Sequence, residues 1–483
     1  MRTMTHTKIV ATVGPACESA PRLRAMIQEG VDILRINASH TTPEGLRHWI
    51  VNIRRVTASL RRTVGILVDL QGPRVRTGRL RDGGPVELRR GQAVTIRVSR
   101  QPGDGRHITT PCRAFPAMVR PGDHVLLDNG TMTLRIVRVA RDRVHASVLV
   151  GGRLGENKGI NLPNAPATLP ALTPKDLADL AVAVPLHVDY LALSFVRREE
   201  DVLALQRWLA RHRATIPIIA KMEKPGALQH IGPILDHVDG LMVARGDLGI
   251  EMGVEKVPAI QKALILQAHL ARVPVITATE MLETMIERPH PTRAEVSDVA
   301  NAVLDGTDAV MLSGETAIGR HPVEAVRTMR RIIREAERHP QSVALADSDA
   351  GFPGTSPVHA ITYAALYAAH NLGAKAIVVF TRSGKTARLI STLRPTCPIV
   401  ALTPSERISA QLTLLRGVVP IVIRSSNNTD QMIRRGDEAI LRRRVLHRGD
   451  PVVVLSGKQA LPGARYMTQI HRLGERATRE VEG

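Results

Sequence analysis

The sequence predicts an α/β protein: a (β/α)8 barrel of the TIM type, with an inserted small β-barrel domain and a separate C-terminal α/β domain. Three observations carry this. Eight short apolar runs recur with amphipathic stretches between them, the pattern of parallel strands joined by helices. Between the third and fourth runs lies far more chain than one crossover helix needs, and it alternates polar and apolar residues between DGG, PGDG and RPGD turns. Beyond a Gly, Pro and Ser-rich stretch, DSDAGFPGTSP, strand and helix alternate again.

In order, TKIVATV, VDILRIN and VGILVDL are the first three barrel strands, and DYLALSF, IPIIAKM, VDGLMVA, VPVITAT and DAVMLS the remaining five. Helix starts are marked by Thr173 before Pro174 and by Thr292 with Glu295 three residues on, the spacing of a capping box. The insert contributes QAVTIRV, DHVLLD and TLRIVRV. The C-terminal part contributes AKAIVVF, CPIVALT, VVPIVIR and DPVVVLS. The expected boundaries are residues 1–72 and 167–342 for the barrel, 73–166 for the insert acting as a lid, and 355–483 for the last domain.

Length and composition narrow the class. A chain of 483 residues exceeds one ordinary core. At 43% hydrophobic and 23% charged residues it reads as soluble and globular. No run approaches the roughly 18 apolar residues of a membrane span, and the start, MRTMTHTKIVATVGPACESA, is too interrupted for a secretion signal, so a cytoplasmic location is expected. Cys17, Cys112 and Cys397 form no CxxC pair, against a disulfide framework or zinc knuckle. The net charge of +21 suits anionic ligands. Its arginines are scattered and aromatics are only 2%, which leaves few platforms for stacking bases and disfavours nucleic acid as a partner.

The stretch IPIIAKMEKPGAL is the sharpest local signal. A β-branched run ends in Lys221 and Glu223, which share one face of a strand end. Barrel chemistry gathers at the C-terminal ends of the strands, and those ends read Arg35 and Asn37, Asp69, Ser194, Lys221 with Glu223, Asp247, Thr279, and Ser313 with Glu315. Each alone reads equally well as a solvated loop residue; together they suggest a site. Glu223 and Asp247 could hold one hard divalent cation, or either could simply pair with Lys221. Arg35 and Lys221 beside them suit a phosphoryl group.

Taken together, TKIVATVGPAC, ILRINASH, VDLQGPRVRTG, KGINLP, IIAKMEK, MVARGDLGIE, TATEMLETMI, PTRAEVSDVANAVLDGTDAVMLSGETAIGRHP and FTRSGKTA resemble the pyruvate kinases. The resemblance implies phosphoryl transfer from phosphoenolpyruvate to ADP, a glycolytic reaction. By position, it implies that Arg35 and Lys221 hold the phosphoryl group, that Thr279 takes part in protonating the enolate, and that Ala244, Arg245 and Gly246 receive the substrate carboxylate by their backbone. It implies Mg²⁺ (or Mn²⁺) on Glu223 and Asp247, and nucleotide contacts from Asn37, His40, Arg76 and Lys175. A homotetramer is expected on the same ground.

Two departures matter. The resemblance implies a monovalent site at Asn37, Ser39, Asp69 and Leu70, yet the motif familiar as DTKGPEIRTG reads DLQGPRVRTG, which puts Arg74 where glutamate is usual. That changes the local charge by two, so Arg74 is expected to replace the cation and K⁺ to be dispensable. Glu280 stands where glutamine is usual. In the last domain, the loop Thr381, Arg382, Ser383, Gly384, Lys385 and Thr386 lacks the first glycine of a P-loop. It reads as a phosphate cradle or an ordinary helix start, and the resemblance implies a phosphorylated allosteric effector there, with SGKQALPGARY as its second half. An enolate-forming lyase, a silent phosphate sensor and an RNA binder stand as competing readings.

Overall fold

In the computed structural model, residues 5–60, 62–163, 169–339, 357–426, 428–456 and 466–475 are described. The eight expected runs become eight parallel strands: β1 (Lys8–Thr12), β2 (Ile33–Asn37), β3 (Gly65–Asp69), β4 (Tyr190–Leu193), β5 (Ile218–Met222), β6 (Gly240–Ala244), β7 (Val275–Ala278) and β8 (Ala309–Leu312). They pair in sequence order, and β8 closes on β1 through Lys8↔Ala309 to Ala11↔Leu312. Side chains alternate across each strand, which divides the apolar residues between two cores. Val10, Ile33, Leu67, Met242 and Ile276 fill the interior, while Ile9, Leu34, Ile66 and Val243 pack outward with the helices.

The helix starts follow the expected chemistry. Thr173 caps Pro174–Ala183 in a reciprocal box with Asp176, and Thr292 caps Arg293–Leu304 with Glu295. Between β3 and β4, the insert forms a seven-stranded and a two-stranded sheet around its own core of Val94, Ile96, Phe115 and Leu134. This is the arrangement found where a small β-barrel was expected.

The C-terminal sheet has five strands, β9 (Ala376–Phe380), β10 (Ile399–Thr403), β11 (Val418–Val422), β12 (Pro451–Ser456) and β13 (Met467–Arg472), in the order β11-β10-β9-β12-β13. Four were expected. The fifth, MTQIHR, runs antiparallel at the sheet edge and stays half-exposed, so it lacks the apolar run that marks a buried parallel strand. Most of the stretch DSDAGFPGTSP, the core of SGKQALPGARY and the expected boundaries near residues 166 and 342–355 lie outside the described residues. Among the described residues no helix is long and apolar enough to cross a membrane.

Candidate active site

At the C-terminal end of the barrel, basic and acidic side chains alternate around a buried rim. Arg35, at 7% exposure, sits in β2 and grips Asp69 at the end of β3, with Nε and Nη2 at 2.8 and 2.6 Å from Oδ2. Lys221 Nζ stands 3.3 Å from Asp69 Oδ1 and 2.8 Å from Glu223 Oε1, and it donates to Ser194 Oγ at 2.8 Å. Ser194 Oγ donates in turn to the carbonyl of Leu70 at 2.8 Å. The pairing of Lys221 with a carboxylate, one of the two readings of its strand end, is therefore present.

Burial alone would neutralise these groups. It pushes the Asp69 carboxyl up, but the charges of Lys221 and Arg35 outweigh it and hold the group below the usual carboxylate range. Burial likewise lowers Lys221, and Asp69 and Glu223 more than restore it, so the ammonium is held above its ordinary value. Glu223 is fully buried. Burial, with Asp247 added, keeps its carboxyl above the ordinary value despite Lys221. Its Oε2 accepts the amide of Phe195 at 2.6 Å, while Oε1 meets only the Lys221 ammonium, at 2.8 Å. A buried carboxylate oxygen with an open lone pair, and Asp247 close enough to shift its proton affinity, fit one hard cation that substrate oxygens would complete. Among the described residues no three acidic, His or Cys side chains gather to hold a metal by themselves.

Asp247 lies in the first turn of the helix Arg245–Met252, which starts where β6 ends. With Gly246, Thr279 and Glu280 it lines a cavity of about 570 Å³, closed on the insert side by Leu126, Asn129 and Gly130. Thr279 and Glu280 have φ of 77° and 54°. That conformation is costly for a β-branched residue and persists only when its surroundings impose it. Arg245 imposes it. Its guanidinium donates to the carbonyl oxygens of Ala278 at 3.2 Å, of Thr279 at 2.6 Å and of Glu280 at 3.3 Å, and is anchored by Asp298 at 2.7 Å. A Cβ on Gly246 would stand 2.8 Å from Thr279 Cγ2, so this glycine lets the helix start against the threonine.

Other expected residues lie around the rim. The Asn37 Oδ1 accepts the amide of Ser39 at 3.1 Å. Lys175 Nζ donates to the Ala38 carbonyl and to Asp179, both at 2.7 Å, which ties the helix Pro174–Ala183 to the loop that carries Asn37, Ser39 and His40. His40 is exposed, and burial followed by the charges of Arg76, Arg74 and Arg35 lowers its proton affinity. Arg76 donates to the Asn157 carbonyl at 3.1 Å, and Arg74 to Asn129 Oδ1 at 3.4 Å. Glu315, just beyond the end of β8, is fully buried and accepts the amides of Leu282 and Ser313 at 3.0 and 2.7 Å. In the last domain, Thr381 Oγ1 accepts the Gly384 amide at 2.9 Å, and Thr386 is buried. Arg382, Ser383 and Lys385 are exposed around the start of the helix Lys385–Thr392.

Two contributors escaped the reading of strand ends. Thr12 closes β1 and accepts Arg35 Nη1 at 2.9 Å while donating to the Leu312 carbonyl. Its place as the last residue of TKIVAT was the available signal. The second is the backbone amide of Phe195, whose residue has a φ of 56°. No side-chain pattern reveals such a donor.

Comparison with known proteins agrees with this geometry. The family described as pyruvate kinase, barrel domain, matches residues 4–326, and that described as pyruvate kinase, alpha/beta domain, matches residues 359–471. Pyruvate kinases of Staphylococcus aureus strains USA300 and NCTC 8325 are each 40% identical over 475 residues, 98% of this chain and 81% of theirs. The solved structure of a pyruvate kinase from Cryptosporidium parvum superposes with a TM-score of 0.91 at 34% identity, covering 97% of this chain and 96% of that one. The matches run along nearly the whole length of the chain, and it belongs to the pyruvate kinase family.

Proposed function

We propose that the rim around Lys221 is where this phosphotransferase moves the phosphoryl group of phosphoenolpyruvate to ADP, yielding pyruvate and ATP. The observation that carries the reading is Lys221 Nζ, buried and held charged between Asp69 and Glu223. Phosphoryl transfer relies on positioning and on stabilising charge that develops in flight. Arg35, fixed by Asp69 and Thr12, and Lys221 offer that charge in a preorganised place. The amides that open the helix at Arg245 and Gly246, next to Ala244, suit the substrate carboxylate. Glu223 and Asp247 would hold Mg²⁺ or Mn²⁺, which when bound neutralises charge on the phosphoryl oxygens. Thr279 would take part in protonating the enolate, and Asn37, His40, Arg76 and Lys175 would contact the nucleotide.

The same reading makes K⁺ dispensable. Of the four residues of the expected monovalent site, Asp69 is already paired with Arg35 and Lys221, the Leu70 carbonyl accepts Ser194, and Asn37 accepts Ser39. Arg74 adds a fixed positive charge that is felt at His40 in the same loop. A cytoplasmic homotetramer with a phosphorylated effector at residues 381–386 completes the proposal, supported by the exposed Arg382, Ser383 and Lys385.

The test is pyruvate formation from phosphoenolpyruvate and ADP with Mg²⁺, first with tetramethylammonium as the only added monovalent cation and then with K⁺. Turnover that K⁺ raises less than about twofold is expected. A tenfold rise with K⁺ would remove Arg74 from its role while keeping the enzyme, and no turnover in either salt would overturn the assignment of the rim.

A further inference from the structure

A second cavity, of about 280 Å³, lies where the insert joins the barrel. Arg74 is the one described residue that lines both it and the cavity holding Asp247 and Thr279, so the two are separate spaces. The insert supplies an apolar wall of Val75, Met118, Ile160 and Leu162. The barrel supplies Phe195 and a cationic wall of Arg197, Arg198 and Lys224, with His230 beside them.

No aspartate or glutamate is among the described residues that line this space. The carboxylates that hold its cations, Asp201 on Arg197, Glu200 on Arg198 and Glu251 on Lys224, stand outside the lining and fix the charges in place. A concave, half-apolar space whose lining offers cationic donors and no carboxylate suits anions that also carry apolar surface.

One polar group inside is left without a partner. Asn161, at 5% exposure, lines the cavity and donates Nδ2 to Glu251 Oε1 at 3.0 Å, the oxygen that also takes Lys224. That bond fixes the amide, and its Oδ1 accepts no hydrogen bond. Buried acceptors are rarely left so, and this oxygen is sealed inside the wall.

We propose that this hinge cavity binds a small organic anion that has an apolar body, and that the ligand bridges insert and barrel. Such a ligand touches both walls and so fixes the angle between the two parts without entering the catalytic rim.

The probe is 8-anilinonaphthalene-1-sulfonate, which combines a sulfonate with apolar rings. Its fluorescence is titrated into the full chain, with and without saturating phosphoenolpyruvate and Mg²⁺. One saturable site is expected, with affinity changed less than about twofold by phosphoenolpyruvate. Arg198→Glu should weaken it at least tenfold while leaving turnover unchanged, since that side chain is 49% exposed. Gly226→Leu should do the same by filling the space: a Cβ there meets only Arg197 atoms at 3.7 and 3.8 Å, an ordinary contact. Displacement by phosphoenolpyruvate, undiminished binding in Arg198→Glu and Gly226→Leu, or no saturable binding would each overturn the proposal. It stands or falls independently of the assignment of the catalytic rim.

Discussion

At the scale of single residues, the rim works because Arg35, Asp69, Lys221 and Glu223 hold one another's charges. Removing one member leaves its partners buried and unpaired, which typically costs 3–5 kcal/mol. Lys221→Met should therefore act twice. Turnover is expected to fall by at least ~10²- to 10³-fold, the typical loss of one preorganised donor. Stability should fall as well, because Asp69 and Glu223 lose their shared cation. Steady-state kinetics and denaturant unfolding separate the two effects, and near-normal turnover would exclude Lys221 from the chemistry. These residues were legible in the sequence because Lys221, Glu223, Asp69 and Arg35 end apolar runs abruptly. The way they pair was not, because i and i+2 spacing puts two side chains on one face without saying which neighbouring strand supplies their partners.

Among the elements, the turn after β7 and the helix after β6 form one device. Arg245 reads in the sequence as part of a carboxylate-receiving loop; its side chain holds three successive carbonyls of the turn at Thr279 and Glu280. Arg245→Ala should release that left-handed turn. The expected cost is about 1.5–3 kcal/mol per lost hydrogen bond to the charged group, together with a loss of kcat larger than any rise in KM; a variant with unchanged kcat would separate the turn from the chemistry. Gly246→Ala tests the same contact from the other side. A methyl group 2.8 Å from Thr279 Cγ2 must displace one of the two elements, so turnover is expected to drop while the fold, followed by circular dichroism, persists. Helix starts at Thr173 and Thr292 were readable because capping is local chemistry. That two backbone amides claim Glu315 was not readable from its place beyond a strand end.

Across the whole molecule, the C-terminal domain closes the barrel from below. Leu414 is fully buried in the barrel's interior cluster beside Tyr190, whose hydroxyl donates to the Gln411 carbonyl at 2.5 Å. Lys8 Nζ reaches the Val418 carbonyl at 2.7 Å, and Arg394 the Gly306 carbonyl at 2.6 Å. Leu414→Ala should cost about 2–5 kcal/mol as a cavity opens between two cores. Calorimetry should then show the barrel and the last domain melting less cooperatively; one unchanged transition would mean that the plug couples nothing.

The same junction carries a pH dependence. Burial first, and then the charge of Arg416 with those of Lys8 and Arg394, lower His6 from 6.5 to about 4, against the opposing charge of Glu337. The unfolded chain therefore binds a proton that the folded chain refuses. Stability from this group is fully present above pH 6.5 and is lost as pH falls towards 4, a change on the order of 3 kcal/mol. His6→Asn should flatten that part of the unfolding free energy measured against pH; an unaltered slope would place the acid sensitivity elsewhere.

The sequence by itself determined the barrel, its insert, the C-terminal sheet apart from its polar edge strand, and the charged strand ends. It did so because strand period, turn residues and caps act over a few residues. Only the tertiary structure decided how the charges pair, that Arg245 serves a turn, that Leu414 plugs the barrel, and that a cationic cavity lies at the hinge. Each depends on groups distant along the chain that share one buried space, where distance and burial, which no local pattern encodes, set the energy.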